Sequence, residues 1–211
     1  ILNKNIHVEG ISKIDSIDID NANKLGYKIK LLGFSEQINK TIYQRVHPTL
    51  IKKSSYVGSI SGVLNAVIVD GNPVGQSVIQ GEGAGPAATT SALVSDISSI
   101  LRGNIKFPFS ISNKERKSLL FKDISERYFS AYLRFEVMDK PGVLSNITNI
   151  FSKNKVSIKR LIQNPNKNKG SSSIVIITHK SKDKYLNKIL NQIDKKNYIL
   201  KKSKLIRIDD K

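Results

Sequence analysis

Two periods run through this chain, one of two residues and one of three to four. Residues 27–34 (YKIKLLGF) and 41–47 (TIYQRVH) alternate apolar with polar and predict strands. Residues 6–14 read as a short extended segment before them. Residues 15–25 predict a helix, since Asp15 or Ser16 can cap its start and Gly26 stands where a left-handed residue ends helices. Residues 63–69 and 74–79 flank Asp70-Gly-Asn-Pro73 and predict a hairpin. These elements together predict an antiparallel or mixed sheet with helices on one face, its apolar residues forming a core. A Gly-rich stretch, Gly81-Glu-Gly-Ala-Gly85, then leads into a helix over 90–102, with Leu93, Val94, Ile97, Ile100 and Leu101 on one stripe.

The second half repeats the alternation more cleanly. In 132–137, Leu133, Phe135 and Val137 fall on one face, and Tyr132, Arg134 and Glu136 on the other. Asp139-Lys-Pro-Gly142 is a turn. A helix over 143–153 carries Leu144, Ile147, Ile150 and Phe151 on one stripe. Strands follow over 156–163 and 173–178, then a helix over 183–196 with Leu186, Ile189, Leu190 and Ile193 spaced at helical period, then a strand over 200–208. The order βαββαβ is the ferredoxin-like plan, two helices on one face of a four-stranded antiparallel sheet. The opposite face of that sheet must pack on something else. Residues 106–130, with Pro108 and mixed charge, read as a connector with a short helix.

Composition narrows the chemistry. The 211 residues lack Cys, which removes disulfides, thiolate metal sites and Cys nucleophiles. Three scattered His residues make a metal site unexpected. No run of eighteen apolar residues is present, so no membrane-spanning helix is expected. The net charge of +18 invites a nucleic-acid reading. Ile, Lys and Asn number 30, 28 and 18, the residues favoured by AT-rich codons, and only 7 of the 35 basic residues are Arg. Few aromatics are interleaved for base stacking. The lysines therefore read as solvated faces, and no specific nucleic-acid partner is expected.

The segment Arg134-Phe-Glu-Val-Met-Asp-Lys-Pro-Gly-Val-Leu-Ser-Asn-Ile147 resembles the opening of an ACT domain: apolar strand, Asp-x-Pro-Gly-Val-Leu, first helix. The first half resembles homoserine dehydrogenase. The blocks are Glu9-Gly-Ile-Ser-Lys-Ile-Asp15, Asp18-Ile19, Leu25-Gly-Tyr-Lys-Ile-Lys-Leu-Leu32, Val46-His-Pro-Thr-Leu-Ile51, Gly62-Val-Leu-Asn-Ala-Val67, Gly75, Gly81-x-Gly-Ala-Gly85 and Thr90-Ser-Ala-Leu-Val-Ser-Asp96, in the family's order. The resemblance implies an α+β chain. Residues 1–105 would be the C-terminal part of the catalytic and dimerisation domain, 106–130 the connector, and 131–211 a ferredoxin-like ACT regulatory domain.

The family resemblance implies NADP- or NAD-dependent interconversion of homoserine and aspartate semialdehyde, on the route to threonine, methionine and isoleucine. It implies a cytoplasmic homodimer or homotetramer regulated through the ACT domain, with threonine as effector. No strand–GxGxxG–helix fingerprint occurs near the start. The family's catalytic Asp-x-x-x-Lys and sodium-binding residues are expected upstream of Ile1, and Asp20-x-x-x-Lys24 falls after the Gly-Ile-Ser block, where it is coincidental. No catalytic residue is therefore expected within the chain, which alone is expected to be inactive. Gly83, Ala84, Gly85 and Thr90 are the expected cofactor contacts. The family's Leu-Pro-Thr-Ala-type sequence is replaced by Pro86-Ala-Ala-Thr-Thr-Ser91, so Thr89 can stand in for Thr90. Asp139, Gly142, Val143 and Leu144 are the expected effector contacts, at a turn where free N–H groups can meet a charged ligand. His47, before Pro48, reads as a surface or interface residue, and His7 and His179 show no partner. The rival reading is a non-enzymatic amino-acid sensor with an ACT module.

Overall fold

The computed structural model describes residues 6–104, 112, 114–115, 119–166 and 170–209. By compactness the chain forms two units. The first joins Ile1–Lys53 to Leu119–Lys211, and the second is Ser54–Ser118. This partition runs along a different line from the 1–105, 106–130 and 131–211 segmentation, because the strand over 41–52 pairs with the strand over 199–209.

In the first unit, β1 (His7–Val8) precedes α1 (Ser16–Lys24), β2 (Tyr27–Ile38) and β3 (Thr41–Lys52). Asp15 is the N-cap of α1, and the Asp18 carboxylate accepts its backbone N–H at 3.2 Å. Gly26 follows the helix at φ +84°, as its position in the sequence predicts. The hairpin β2–β3 runs in unbroken register from Tyr27↔Lys52 to Ile38↔Thr41. The other edge of β3 is shared. Strand β1 pairs in parallel at Arg45 and Val46, and a later strand pairs at 49–51. Pro48, which has no N–H to give, falls in the gap between those two partners.

The second unit holds a one-turn helix α2 (Tyr56–Ser59), the hairpin β4 (Leu64–Gly71) and β5 (Gly75–Glu82), and α3 (Pro86–Leu101). Among the described residues β4 and β5 pair only with each other, so the predicted strands do not all join one sheet. The residues expected to be core are not buried here: Val67, Val69, Val74 and Ile79 are half or more exposed, as are Leu93, Val94, Ile97 and Ile100. A two-stranded ribbon and one helix offer too little area to cover one another. Helix α3 starts four residues earlier than its apolar stripe predicts, since Pro86 suits the first helical position.

The first unit resumes with β6 (Leu120–Phe121), a 3₁₀ turn (Ile124–Glu126) and β7 (Tyr128–Met138). Much of the expected connector lies outside the described residues. Then come α4 (Val143–Lys153), β8 (Ile158–Asn166), β9 (Ser171–Thr178), β10 (Ser181–Lys182), α5 (Asp183–Ile193) and β11 (Ile199–Asp209). Four of these strands lie in the order β11-β7-β9-β8, every neighbour antiparallel. This is the βαββαβ plan. Pro165 sits on β8, an edge strand, where a missing donor costs little. Strand β11 also pairs in parallel with β3 at Thr49, Leu50 and Ile51, which welds both halves into one mixed sheet.

Each face of that sheet has its own core. Leu133, Phe135, Ile174 and Ile176 pack against Ile147 and Phe151 of α4 and Leu186 and Ile189 of α5. Tyr132, Val175, Ile177, Ile206 and Leu50 pack on the opposite face with Ala22 of α1. The second face, which the sequence left without a partner, is thus closed by the helix α1 of the first half. Among the described residues no helix is long and apolar enough to cross a membrane.

Candidate functional site

The clearest concavity is built where β7 runs into α4. A cavity of about 410 Å³ is lined by the turn 139–142, by Val143 and Leu144, and by Met138, Gln163 and Ile174. The turn exists because Gly142 caps α4 at φ +87°, a left-handed conformation that costs a residue with a Cβ roughly 1–2 kcal/mol. Its end is pinned to the sheet, since the Asp139 N–H donates to the Gly170 carbonyl at 2.9 Å. The first turn of α4 lies at this mouth; the Val143 N–H is taken by the Lys140 carbonyl at 3.3 Å, and helix geometry leaves the next amides without intrahelical acceptors. Asp139 supplies a carboxylate, with Gln163 Nε2 3.5 Å from its Oδ1. A small zwitterion matches this set: amides for a carboxylate, Asp139 for an ammonium group, and Val143, Leu144 and Ile174 for a short side chain. All four expected effector residues, Asp139, Gly142, Val143 and Leu144, face one cavity. Gln163, which reaches the cavity from β8, was missed because a residue on another strand leaves no mark in local sequence, and Met138 was not singled out although it directly precedes Asp139.

The Gly-rich loop lies in the other unit. The Gly83 N–H donates to the Val63 carbonyl at 2.9 Å, and a Cβ at Gly83 would overlap the Asn65 side chain. Gly85 caps α3 at φ +130°, which again favours glycine. Gly83, Ala84, Gly85 and Thr90 are exposed. Thr89 is engaged locally, its Oγ1 donating to the Gly85 carbonyl at 3.0 Å. Pro86 removes one amide from the helix start. The loop thus offers bare backbone, without basic side chains.

A third group of polar residues was not legible as a set. Asp18 is fully buried, and its carboxylate accepts from Arg134 Nε at 2.6 Å and Nη2 at 3.1 Å, and from the Tyr132 hydroxyl at 3.0 Å. Arg134 Nη2 also reaches Asp15 at 2.7 Å. Burial opposes the Arg134 charge, but its carboxylate partners raise its pKa well above normal. Burial, then the neighbouring Asp18 charge, pushes the Tyr132 hydroxyl up. A second arginine, Arg207 on β11, donates through Nε to Asp183 at 2.7 Å and through Nη1 to Glu9 at 2.8 Å. Burial alone would raise the Glu9 carboxyl, yet His7 and Arg207 hold it down at about 2. His7 therefore has a partner, at 2.7 Å, against expectation.

His47 also departs from its expected place. It is only 1% exposed, stacked on Phe34 and edge-on to Phe129. Its Nδ1 lies 3.0 Å from the Pro48 carbonyl, while Nε2 has no hydrogen-bond partner among the described residues. Burial pushes its pKa down to about 4. Pro48 does not end the strand, so His47 stays inside it.

An α+β chain in which a βαββαβ sheet carries a cavity at its first strand–helix turn is a protein with an ACT-type module. A family model for the AHAS small subunit-like ACT domain matches residues 133–201, and the homoserine dehydrogenase model matches residues 1–98. The chain belongs to the homoserine dehydrogenase family. The Neisseria gonorrhoeae homoserine dehydrogenase is 37% identical over 96% of this chain and 48% of its own length. That of Helicobacter pylori is 32% identical over 97% of this chain and 48% of its own. The crystal structure of a homoserine dehydrogenase from Thiobacillus denitrificans superposes with TM-score 0.85 at 30% identity, covering 98% of this chain and 48% of that one. The chain thus spans about half the length of the relatives it matches.

Proposed function

We propose that this chain is the C-terminal part of a homoserine dehydrogenase, an oxidoreductase that interconverts homoserine and aspartate semialdehyde with NADP or NAD. The matching blocks of both halves, joined through the β3–β11 seam, support that reading. Residues 131–211 serve as the regulatory module, with threonine as effector in the cavity at Asp139, Gly142, Val143 and Leu144. The observation that carries this role is the convergence of an acid, helix-start amides and a small apolar wall on one cavity.

The loop 83–85 is assigned to cofactor contact. Its exposed backbone fits the close approach of a planar polar group, while the glycine at 83 is itself required by the Asn65 side chain that occupies the place of a Cβ. When bound, the nicotinamide ring supplies hydride transfer. Gly83, Ala84, Gly85 and Thr90 would contact it, and the proton-transferring groups are assigned to a segment preceding residue 1. The exposed apolar stripe of α3 suits packing on the dinucleotide-binding part. A cytoplasmic homo-oligomer is the assembly this reading implies.

The test has two arms. The chain alone is expected to give no homoserine-dependent NADP reduction above a no-protein control, and activity is expected once the upstream reading frame is joined to it. Calorimetry with L-threonine on the chain alone is expected to show saturable binding that Asp139→Ala weakens. Activity in the isolated chain, or no binding of threonine, overturns the corresponding half of the reading.

A further inference from the structure

Resting on the regulatory reading above, we propose that residues 9–18 form the output element of the module, clasped by cations presented from β7 and β11. Three successive ties support this. Arg207 holds Glu9 at 2.8 Å. Lys204 Nζ donates to the Lys13 carbonyl at 2.6 Å and lies 3.3 Å from Asp15. Arg134 holds Asp15 and Asp18 at 2.7 and 2.6 Å. Lys204 and Arg134 are register partners on β11 and β7, so the ties form a ladder across neighbouring strands.

The ladder is joined to the cavity through covalent structure and hydrogen bonds. Arg134 Nη1 donates to Glu136 at 2.8 Å, and Ser173 Oγ on β9 donates to the same oxygen at 2.9 Å. Glu136 directly precedes Val137 and Met138, which line the cavity wall. A ligand that draws in the 139–142 turn therefore pulls on the strand that carries the clasp. The clasp is suited to two discrete states. Asp18 is buried with Arg134 as its ion-pair partner, so the pair is either fully formed or opened with Asp18 released to water. Residues 9–18 lie outside the βαββαβ module and include the Gly10-Ile11-Ser12 block, so their state reports the module's ligation to the rest of the molecule. Coupling of this kind requires the ligand to favour one clasp state over the other.

The test is hydrogen–deuterium exchange on the 211-residue chain with and without saturating L-threonine, with binding followed by calorimetry. The expected result is a several-fold change in exchange over residues 9–18 together with protection of 139–146. In Asp18→Asn the protection at 139–146 is expected to persist while the change over 9–18 disappears. Arg134→Lys, which keeps the charge, serves if Asp18→Asn does not fold. Threonine binding with exchange over 9–18 unaltered overturns the proposal. So does a full response over 9–18 in the variant. Absence of any threonine response at 139–146 counts against the effector assignment instead. In that event Gly142→Ala, which strains the turn without ligand, decides. A shift in exchange over 9–18 supports the coupling, and a change confined to 139–146 overturns it.

Discussion

The Asp18 carboxylate on α1 accepts two hydrogen bonds from the Arg134 guanidinium on β7, across 116 residues of sequence, and Asp18 is wholly shielded from solvent. Removing one member of such a pair leaves an uncompensated charge inside the protein. Arg134→Met is expected to cost about 3–5 kcal/mol, and Asp18→Asn with Arg134→Met less than the sum of the two single changes. Urea denaturation of the four chains checks this. An additive cycle would show that the pair contributes no coupling.

His47 gives the chain a pH dependence with a definite sign. Its pKa is held at about 4 in the fold, against an ordinary 6.5, because burial disfavours the imidazolium. The unfolded chain therefore binds the extra proton first. Stability from this group is complete above about pH 6.5 and falls as pH drops towards 4, by at most about 3 kcal/mol. Denaturation midpoints between pH 7.5 and 4 are expected to fall in the parent chain and to vary much less in His47→Gln. Parallel curves for the two chains would refute the assignment.

Gly83 is constrained by space and Gly85 by conformation. Gly83→Ala is expected to destabilise by roughly 1–3 kcal/mol through overlap with Asn65. Asn65→Ala is expected to remove most of that penalty, because the obstruction is a side chain. At Gly85, φ +130° makes alanine costly whatever lies nearby. Thermal unfolding of the single and double variants distinguishes the two causes.

At the cavity, binding and stability are expected to separate. Asp139 is exposed, so Asp139→Ala is expected to alter stability by no more than about 0.5 kcal/mol while weakening L-threonine binding at least about tenfold. Calorimetry and thermal unfolding on one preparation give both quantities. Unchanged affinity would remove Asp139 from the site.

Local features of the sequence carried most elements. Asp15 and Gly26 bound α1, the 143–153 periodicity gave α4 to the residue, and the alternation at 132–137 correctly divided β7 between two faces. That Asp139, Gly142, Val143 and Leu144 lie together was legible because they adjoin one turn. The parallel pairing of β3 with β11 was not, since strand partners far apart in sequence share no local period. His47 was misplaced because a following proline ordinarily marks a strand end, and only the tertiary gap between β1 and β11 exempts Pro48. Arg134 was placed only on the second face of its strand and Asp18 only within a family block, and their pairing exists only once α1 lies on the sheet. The apolar residues of β4, β5 and α3 followed core-like patterns, but among the described residues they meet too few neighbours to be covered.

Strand β11 lies between β3 and β7, bonded to one in parallel and to the other in reverse. During synthesis both neighbours emerge from the ribosome well before it. Until residues 199–209 are made, β3 and β7 each keep an open edge and the sheet exists as two separate pieces. Closure therefore waits on residues 199–209, and the joint between segments so far apart in sequence carries the added cost of closing a long loop. A ribosome stalled before residue 199 should hold a β2–β3 hairpin and an incomplete module that have not yet met.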